Sequence, residues 1–151
     1  TFLESIMHLP LIISWPEGLG REPQRAAGFF EMVDLLPTLS EMVGIIPDRG
    51  FQGKSAAKQI LEKKPIAIRD DVYAVLGGGN FMLLNDNWKY LAYKDNDSFN
   101  ELLFDIKRDP DEFKNLAQVK EFEKQLEMMR KRAFERTIDA TASLKQRRSQ
   151  F

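Results

Sequence analysis

The sequence predicts an α+β fold: a short buried strand with helices, then a four-stranded antiparallel meander packed by a long C-terminal helix. Three observations carry that expectation. The apolar run Leu9-Pro10-Leu11-Ile12-Ile13 is closed by Trp15-Pro16. Between Asp71 and Ile106, short apolar runs alternate with turns rich in Gly, Asn and Asp. From Val119 onward, apolar residues recur at helical intervals.

Each element follows from local chemistry. Leu9 to Ile13 is apolar and β-branched, the pattern of a strand covered on both faces, as in a parallel sheet. Pro10 and Pro16 bracket only five residues, which argues against a helix. Glu17 to Arg25, with its Gly and Pro residues, reads as a loop. Gly28 to Val33 feeds a helix with Asp34 as N-cap, Pro37 in the first turn and Gly44 as the stop. Leu36, Leu39 and Val43 share one face of that helix, which predicts an apolar face turned to the core. Ser55 caps a second short helix ending at Lys63-Lys64-Pro65.

Pro65 marks a boundary between residues 1–64, the end of a larger domain, and a smaller subdomain over 65–151. In the second part, Asp71–Leu76, Phe81–Leu84, Trp88–Tyr93 and Glu101–Ile106 read as strands. Trp88, Tyr90 and Ala92 alternate with Lys89, Leu91 and Tyr93, so the third strand is expected to present two differently exposed faces. Asp109-Pro110-Asp111-Glu112 predicts an N-cap, an N1 proline and a capping box closed by Glu112. Val119, Phe122, Leu126, Met129 and Ala133 then form the apolar stripe of the last helix.

Composition narrows the function classes. The 151 residues carry 22 Lys and Arg against 23 Asp and Glu, a balance that argues against a general polyanion binder. No apolar run approaches the roughly 20 residues a membrane-spanning helix needs. The chain has no cysteine, which excludes a disulfide framework, a thiolate metal site and a cysteine nucleophile. Thr1 to His8 shows neither an initiator Met nor a basic leader, so the chain is expected to begin inside a longer protein.

Several motifs fail on inspection. Gly53-Lys54-Ser55 matches the end of a phosphate-binding loop, yet Asp48 stands where the partner glycine belongs. Asp95-Asn96-Asp97 opens like a calcium loop, but Asn100 occupies the position of the turn glycine. Ser14-Trp15-Pro16-Glu17 resembles a Ser-x-Pro-x-Arg nucleophile signature and ends on Gly18 instead of arginine. His8 is the sole histidine, so no Ser/His/Asp relay or multi-histidine metal site can be assembled around a second one. Arg130 to Arg148 holds seven Lys or Arg against Glu135 and Asp139, which reads either as a polyanion-contacting arm or as a solvated helix end.

Three stretches resemble sulfatases of the alkaline-phosphatase superfamily. Glu4-Ser5-Ile6-Met7-His8-Leu9-Pro10-Leu11-Ile12-Ile13-Ser14-Trp15-Pro16 is similar to their E-S-I-R-V-P-L-I-I-x-W-P segment. Val33-Asp34-Leu35-Leu36-Pro37-Thr38-Leu39, with Gly44-Ile45, resembles V-D-L-x-P-T-L…G-I. Leu103-Phe104-Asp105-Ile106, Asp109-Pro110-Asp111-Glu112 and Asn115-Leu116-Ala117 resemble L-Y-D-L-x-x-D-P-x-E-x-x-N-L-A. Their order, with Gln52-Gly53-Lys54-Ser55 between them, makes the match specific.

The resemblance implies the C-terminal region of a sulfuric ester hydrolase, contributing scaffold and a share of substrate specificity. Residues 1–64 would finish the large α/β domain and 65–151 would form its antiparallel subdomain. The family's formylglycine, calcium carboxylates and sulfate-binding residues lie before this segment, so no catalytic or metal role is carried onto any residue here. Cofactors are expected only in a full-length parent. Two residues are implied as substrate contacts: His8, which stands where the family commonly has arginine, and Asn80, at the tip of the first hairpin. The implied partners are an N-terminal sulfatase domain or a second copy covering residues 9–13, with a sulfated small molecule or glycan as substrate of the whole enzyme. Neither a membrane nor nucleic acid is expected as a partner, and family members are often periplasmic, secreted or lysosomal. The alternative reading is a free-standing interaction module that binds a protein or polyanion through the meander and the basic helix.

Overall fold

Four strands, β1 (Val72–Leu76), β2 (Asn80–Leu84), β3 (Trp88–Asp95) and β4 (Ser98–Asp105), form one sheet in sequence order, each antiparallel to the next. They belong to a computed structural model that describes residues 7–45, 51–77 and 79–148, with side chains of the last helix as far as Thr141. The architecture is α+β, as the sequence predicts. Glu4 to Ile6 of the first family-like stretch, Asp48 and Gly78 lie outside the described residues.

Side-chain amides set the sheet's turns. Asn85 Oδ1 accepts the amides of Asn87 (2.9 Å) and Trp88 (2.8 Å), which closes the β2–β3 connection. At the β3–β4 connection Asn96 adopts φ +51°, a left-handed conformation that asparagine tolerates. Two residues therefore suffice to reverse the chain, and Asp95 pairs with Ser98. Both strands thereby reach closer to the turn than the expected bounds Trp88–Tyr93 and Glu101–Ile106.

The core lies between the sheet and α4 (Glu123–Arg148), which a 3₁₀ turn at Lys120–Phe122 introduces. Leu126, Met129 and Ala133 pack with Leu83, Tyr90, Ala92, Leu103 and Leu116. Val119 and Phe122 complete the predicted stripe at its margin, and Phe122 meets Trp88 edge-on at 5.7 Å. Each fully buried aliphatic side chain contributes roughly 1.5–3 kcal/mol, so this seam holds the subdomain together. The expectation of two differently exposed faces on β3 is corrected, because Lys89, Tyr90, Leu91 and Ala92 are all buried.

Between β4 and α4 the chain is not helical, and the reason is electrostatic. The Lys89 side chain is fully buried and its Nζ lies 2.6 Å from the Glu112 carboxylate. An unpaired ammonium there would cost several kcal/mol. Glu112 takes φ +59° in this arrangement, so it closes no capping box with Asp109. Asp109 instead accepts the amides of Phe113 (3.1 Å) and Lys114 (2.8 Å), which organises a turn. Asn115 Oδ1 accepts the Leu103 amide at 3.0 Å, and the Leu116 amide donates to the Leu103 carbonyl at 2.8 Å.

The chain divides between Arg69 and Asp70 into two compact units. Residues 65–69 stay with the first because Arg69 is bound within it. That unit contains α1 (Pro16–Leu19), α2 (Met32–Met42) and α3 (Ala57–Leu61). The helical turn α1 replaces part of the loop expected after Glu17, with Pro16 in the first position where no amide is needed.

The strand expected over residues 9–13 is not formed. This segment has no regular secondary structure and no strand partner among the described residues, and Ile12 is 89% exposed. A strand needs a hydrogen-bonded neighbour, and among the described residues none runs beside it. Helix α2 also departs from expectation. Glu31 is its N-cap and Asp34 sits two residues inside it, in a reciprocal capping box with Glu31, while Pro37 lies in the helix interior. Asp34, Pro37, Thr38 and Met42 are buried, whereas Leu36, Leu39 and Val43 are exposed, so the expected burial of that apolar face is reversed. Ser55 Oγ accepts the Ala57 amide at 3.1 Å at the start of α3.

Truncating Phe104, buried on β4, to alanine should cost about 3–5 kcal/mol. Asp109→Ala should cost about 1 kcal/mol, because it removes acceptors from an exposed turn. Thermal melts of the two variants should keep that order.

Candidate functional site

The polar residues of the first unit converge on one carboxylate. Asp34 is fully buried. Its Oδ2 accepts the Glu31 amide at 2.9 Å and Arg69 Nε at 2.6 Å. Its Oδ1 accepts the Lys54 amide at 2.7 Å and a second bond from Arg69 Nη2. Arg69 also reaches Glu31 at 3.1 Å. Four donors take the four acceptor directions a carboxylate offers, which leaves Asp34 no capacity to ligate a metal or accept a proton from a substrate. Burial by itself would raise its pKa. The Arg69 hydrogen bonds, joined by the Lys54 and Glu31 amides, outweigh that and hold the carboxyl below its ordinary range.

Two neighbours extend this clamp. Thr38 donates to the Asp34 carbonyl at 2.6 Å, and its Oγ1 accepts the Ala56 amide at 3.0 Å, tying α2 to the start of α3. Pro37 has no amide to give the Val33 carbonyl one turn back. Gly53 passes that carbonyl so closely that a Cβ at this position would stand 1.8 Å from it. The residues resembling V-D-L-x-P-T-L and the glycine of Gln52-Gly53-Lys54-Ser55 therefore form one structural joint.

With its polar side held inward, α2 presents Met32, Val33, Leu36 and Val43 outward, joined on the same unit by exposed Leu9, Leu11 and Ile12.

The two residues singled out as substrate contacts lie in different units. His8 is exposed, just before Leu9, whose amide donates to the Met7 carbonyl at 3.2 Å. Asn80 opens β2, where its Oδ1 accepts the Lys94 amide at 3.0 Å and its Nδ2 donates weakly to the Gly77 carbonyl at 3.5 Å. Asn80 thus braces the sheet.

The basic helix is largely neutralised where its side chains are described. Arg130 forms a bidentate pair with Glu101 (2.7 and 2.5 Å), and Glu101 also accepts the Tyr90 hydroxyl at 2.5 Å. The Arg130 bonds draw the Glu101 carboxyl down, while burial and the Glu101 charge push the Tyr90 phenol well up. Arg132 and Arg136 both face Asp71, at 2.5 and 3.4 Å. These cations hold the helix to the sheet. Arg69 and Asp71 escaped sequence reasoning, since each is a lone charge without periodicity and its partner lies far away in the chain. Among the described residues no three His, Asp or Glu side chains converge as a calcium ion would require.

Comparison with known proteins agrees with this geometry. The family described as N-sulphoglucosamine sulphohydrolase, C-terminal, matches residues 1–139. Arylsulfatase K of Gallus gallus is 30% identical over 125 residues, covering 76% of this chain and 23% of that protein. Its counterpart in Xenopus laevis is 29% identical over 140 residues, covering 82% of this chain and 26% of that one. The chain thus spans about a quarter of the length of these curated relatives. Among solved structures, a 2-O GAG sulfatase superposes with TM-score 0.59 at 28% identity, over 77% of this chain and 26% of that one. A protein solved with its substrate D-glucosamine-2-N,6-O-disulfate superposes with TM-score 0.63 over 72% of this chain and 24% of its own, and at 18% identity it shows the fold alone.

Removing the carboxylate by Asp34→Ala leaves Arg69 buried and should cost about 3–5 kcal/mol. The folded carboxyl titrates below the unfolded one, so its contribution is complete above the ordinary aspartate range and is lost as pH falls through the lowered folded value. Denaturation curves should show the wild-type advantage over Asp34→Ala in full at neutral pH and shrinking only in acid.

Proposed function

This chain belongs to the N-sulphoglucosamine sulphohydrolase C-terminal family, and from that premise we propose that it works as the C-terminal region of a sulfuric ester hydrolase, supplying scaffold and a share of substrate specificity. The observation that carries the reading is the reversed helix α2. A helix whose polar side is fixed inward by Asp34 and whose apolar side faces outward is built to be covered. The covering body is the preceding α/β portion of a sulfatase, which supplies the remaining three-quarters of the length found in the relatives. On this reading the formylglycine and calcium of sulfatase chemistry reside in that portion.

The chain's own residues then act by position. Asp34, Thr38 and Gly53 hold α2 in the orientation that presents Leu36 and Val43 to the catalytic portion. His8 is the stronger of the two substrate-contact candidates, being exposed beside this surface segment, whereas Asn80 is engaged within the sheet.

Two measurements test the proposal. The purified chain, given an aryl sulfate and calcium, should show no turnover above buffer; activity that co-purifies with it and survives contaminant controls would refute the assignment of the nucleophile to another portion. Replacing the C-terminal quarter of Gallus gallus Arylsulfatase K with this chain should yield a folded hybrid. The same hybrid carrying Leu36→Glu and Val43→Glu should fail to assemble while the isolated variant chain keeps its melting temperature. A hybrid indifferent to those charges would remove α2 as the docking face.

A further inference from the structure

The sheet of the second unit leaves one edge and one corner uncovered. Strand β1 pairs with β2 on one side and, among the described residues, with no strand on the other. Its sequence, Val72-Tyr73-Ala74-Val75-Leu76, carries no charge and no proline. Those are the residues that ordinarily keep an exposed edge from pairing with another chain.

Helix α4 covers only part of the face it packs on. It follows Phe122, which meets Trp88 of β3, and its turn at Arg136 and Thr137 stands over Tyr73 of β1, the two hydroxyls 2.7 Å apart. It therefore crosses the sheet from β3 toward the open edge, and residues 138–148 continue beyond that turn. Arg132 and Arg136 reach from one flank of α4 to Asp71, whereas Arg130 reaches from the other to Glu101. Residues four apart share a helix flank, so Phe134 and Ile138 follow Arg130. On that side of α4 the strand register aligns Val75, Phe81, Ala92 and Glu101 in one row, with Lys94 and Phe99 in the row beyond. Val75, Phe99, Phe134 and Ile138 are each at least half exposed. An apolar trough thus runs between the Arg130 flank and the hairpin tips, and it opens at the β1 edge.

We propose that a second copy of this chain occupies both, joining β1 to β1 antiparallel about a two-fold axis at Ala74 and making one eight-stranded sheet. This pairing sets Val75 opposite the partner's Tyr73 and Leu76 opposite the partner's Val72, so each exposed edge residue gains an apolar cross-strand neighbour. The same axis lays the two α4 helices antiparallel on one face, each entering the other's trough along the flank of Phe134 and Ile138. Past Thr137, α4 extends about 16 Å, and three strand spacings, about 14 Å, separate one copy's β1 from the β3 of the other. The end of α4 carries Lys145, Arg147 and Arg148, and the β3–β4 turn it reaches carries exposed Asp95 and Asp97. Opposite charges therefore meet at both ends of the contact. A foreign strand would take the edge and leave the trough empty, whereas a second copy brings the helix that fills it, and an isologous contact closes at two. The proposal does not depend on the sulfatase reading.

Leu36→Glu with Val43→Glu first removes the apolar face of α2 from competition. In that background, sedimentation equilibrium of the full chain over a concentration series should show a reversible step from 17.5 kDa to twice that mass. Val75→Lys should weaken dimerisation at least about tenfold by charging the open edge, and Phe134→Glu with Ile138→Glu should do the same from the helix. All three side chains are exposed in the single copy, so the melting temperature of the monomer should not move. Because the chain has no cysteine, oxidised Ala74→Cys can bridge only to its counterpart, whose Cα would stand roughly 4.5–5.5 Å away, within disulfide range. It should cross-link at least about tenfold faster than Asp86→Cys, placed in the β2–β3 turn, because only position 74 meets its own mate. A chain monomeric at every concentration, a dimer indifferent to both sets of substitutions, or equal cross-linking at 74 and 86 would each overturn the proposal. The hybrid enzyme reads the sulfatase assignment separately and does not depend on this edge.

Discussion

The ion pair between Asp34 and Arg69 is the constraint from which the first unit takes its form. Burying two charges is unfavourable unless each finds partners, and here the carboxylate meets a guanidinium and two backbone amides from separate parts of the chain. Residues 31, 54 and 69 cannot drift apart without exposing one charge to an apolar interior. Helix α2 is consequently rotated so that Asp34 and Thr38 point inward, and its leucines have nowhere to go but out. The apolar surface that defines the unit's external role is thus the by-product of a polar joint.

A related device organises the second unit. Lys89, in the middle of β3, is neutralised by Glu112, and that requirement pulls the segment after β4 out of any helix. Tyr90, Glu101 and Arg130 make a three-member chain that fastens the sheet to α4 from the same strand. Cations that sequence alone offers as a polyanion arm act here as internal fasteners, because Glu101 and Asp71 stand opposite them. Net charge near zero is the sum of such local cancellations.

How much was legible follows from the range over which each signal acts. The stripe from Val119 to Ala133 and the four strands are set by periodicity and adjacent turns, and both are found where the sequence places them. Periodicity in α2 correctly grouped Leu36, Leu39 and Val43, but grouping residues on a face does not say whether that face is buried; a partner 35 residues away decided it. The run Leu9 to Ile13 has the composition of a buried strand without a neighbour to pair with among the described residues. Asp109 and Glu112 have capping-box spacing, but Lys89 competes for the same carboxylate and wins.

Asn115 and Leu116 carry a consequence for what the sheet can recruit. Along the outer side of β4, the Leu103 amide and carbonyl are already matched, one by a side-chain oxygen and the other by a main-chain amide. A single rung of this kind imitates a neighbouring strand without being one, since its acceptor comes from a side chain and the next residues turn away toward Val119. An incoming strand would have to displace both bonds at the centre of β4 before it gained any of its own. The motif Asn-Leu-Ala thereby works as a chain terminator, stopping sheet growth by polymerisation on that side for the cost of three residues.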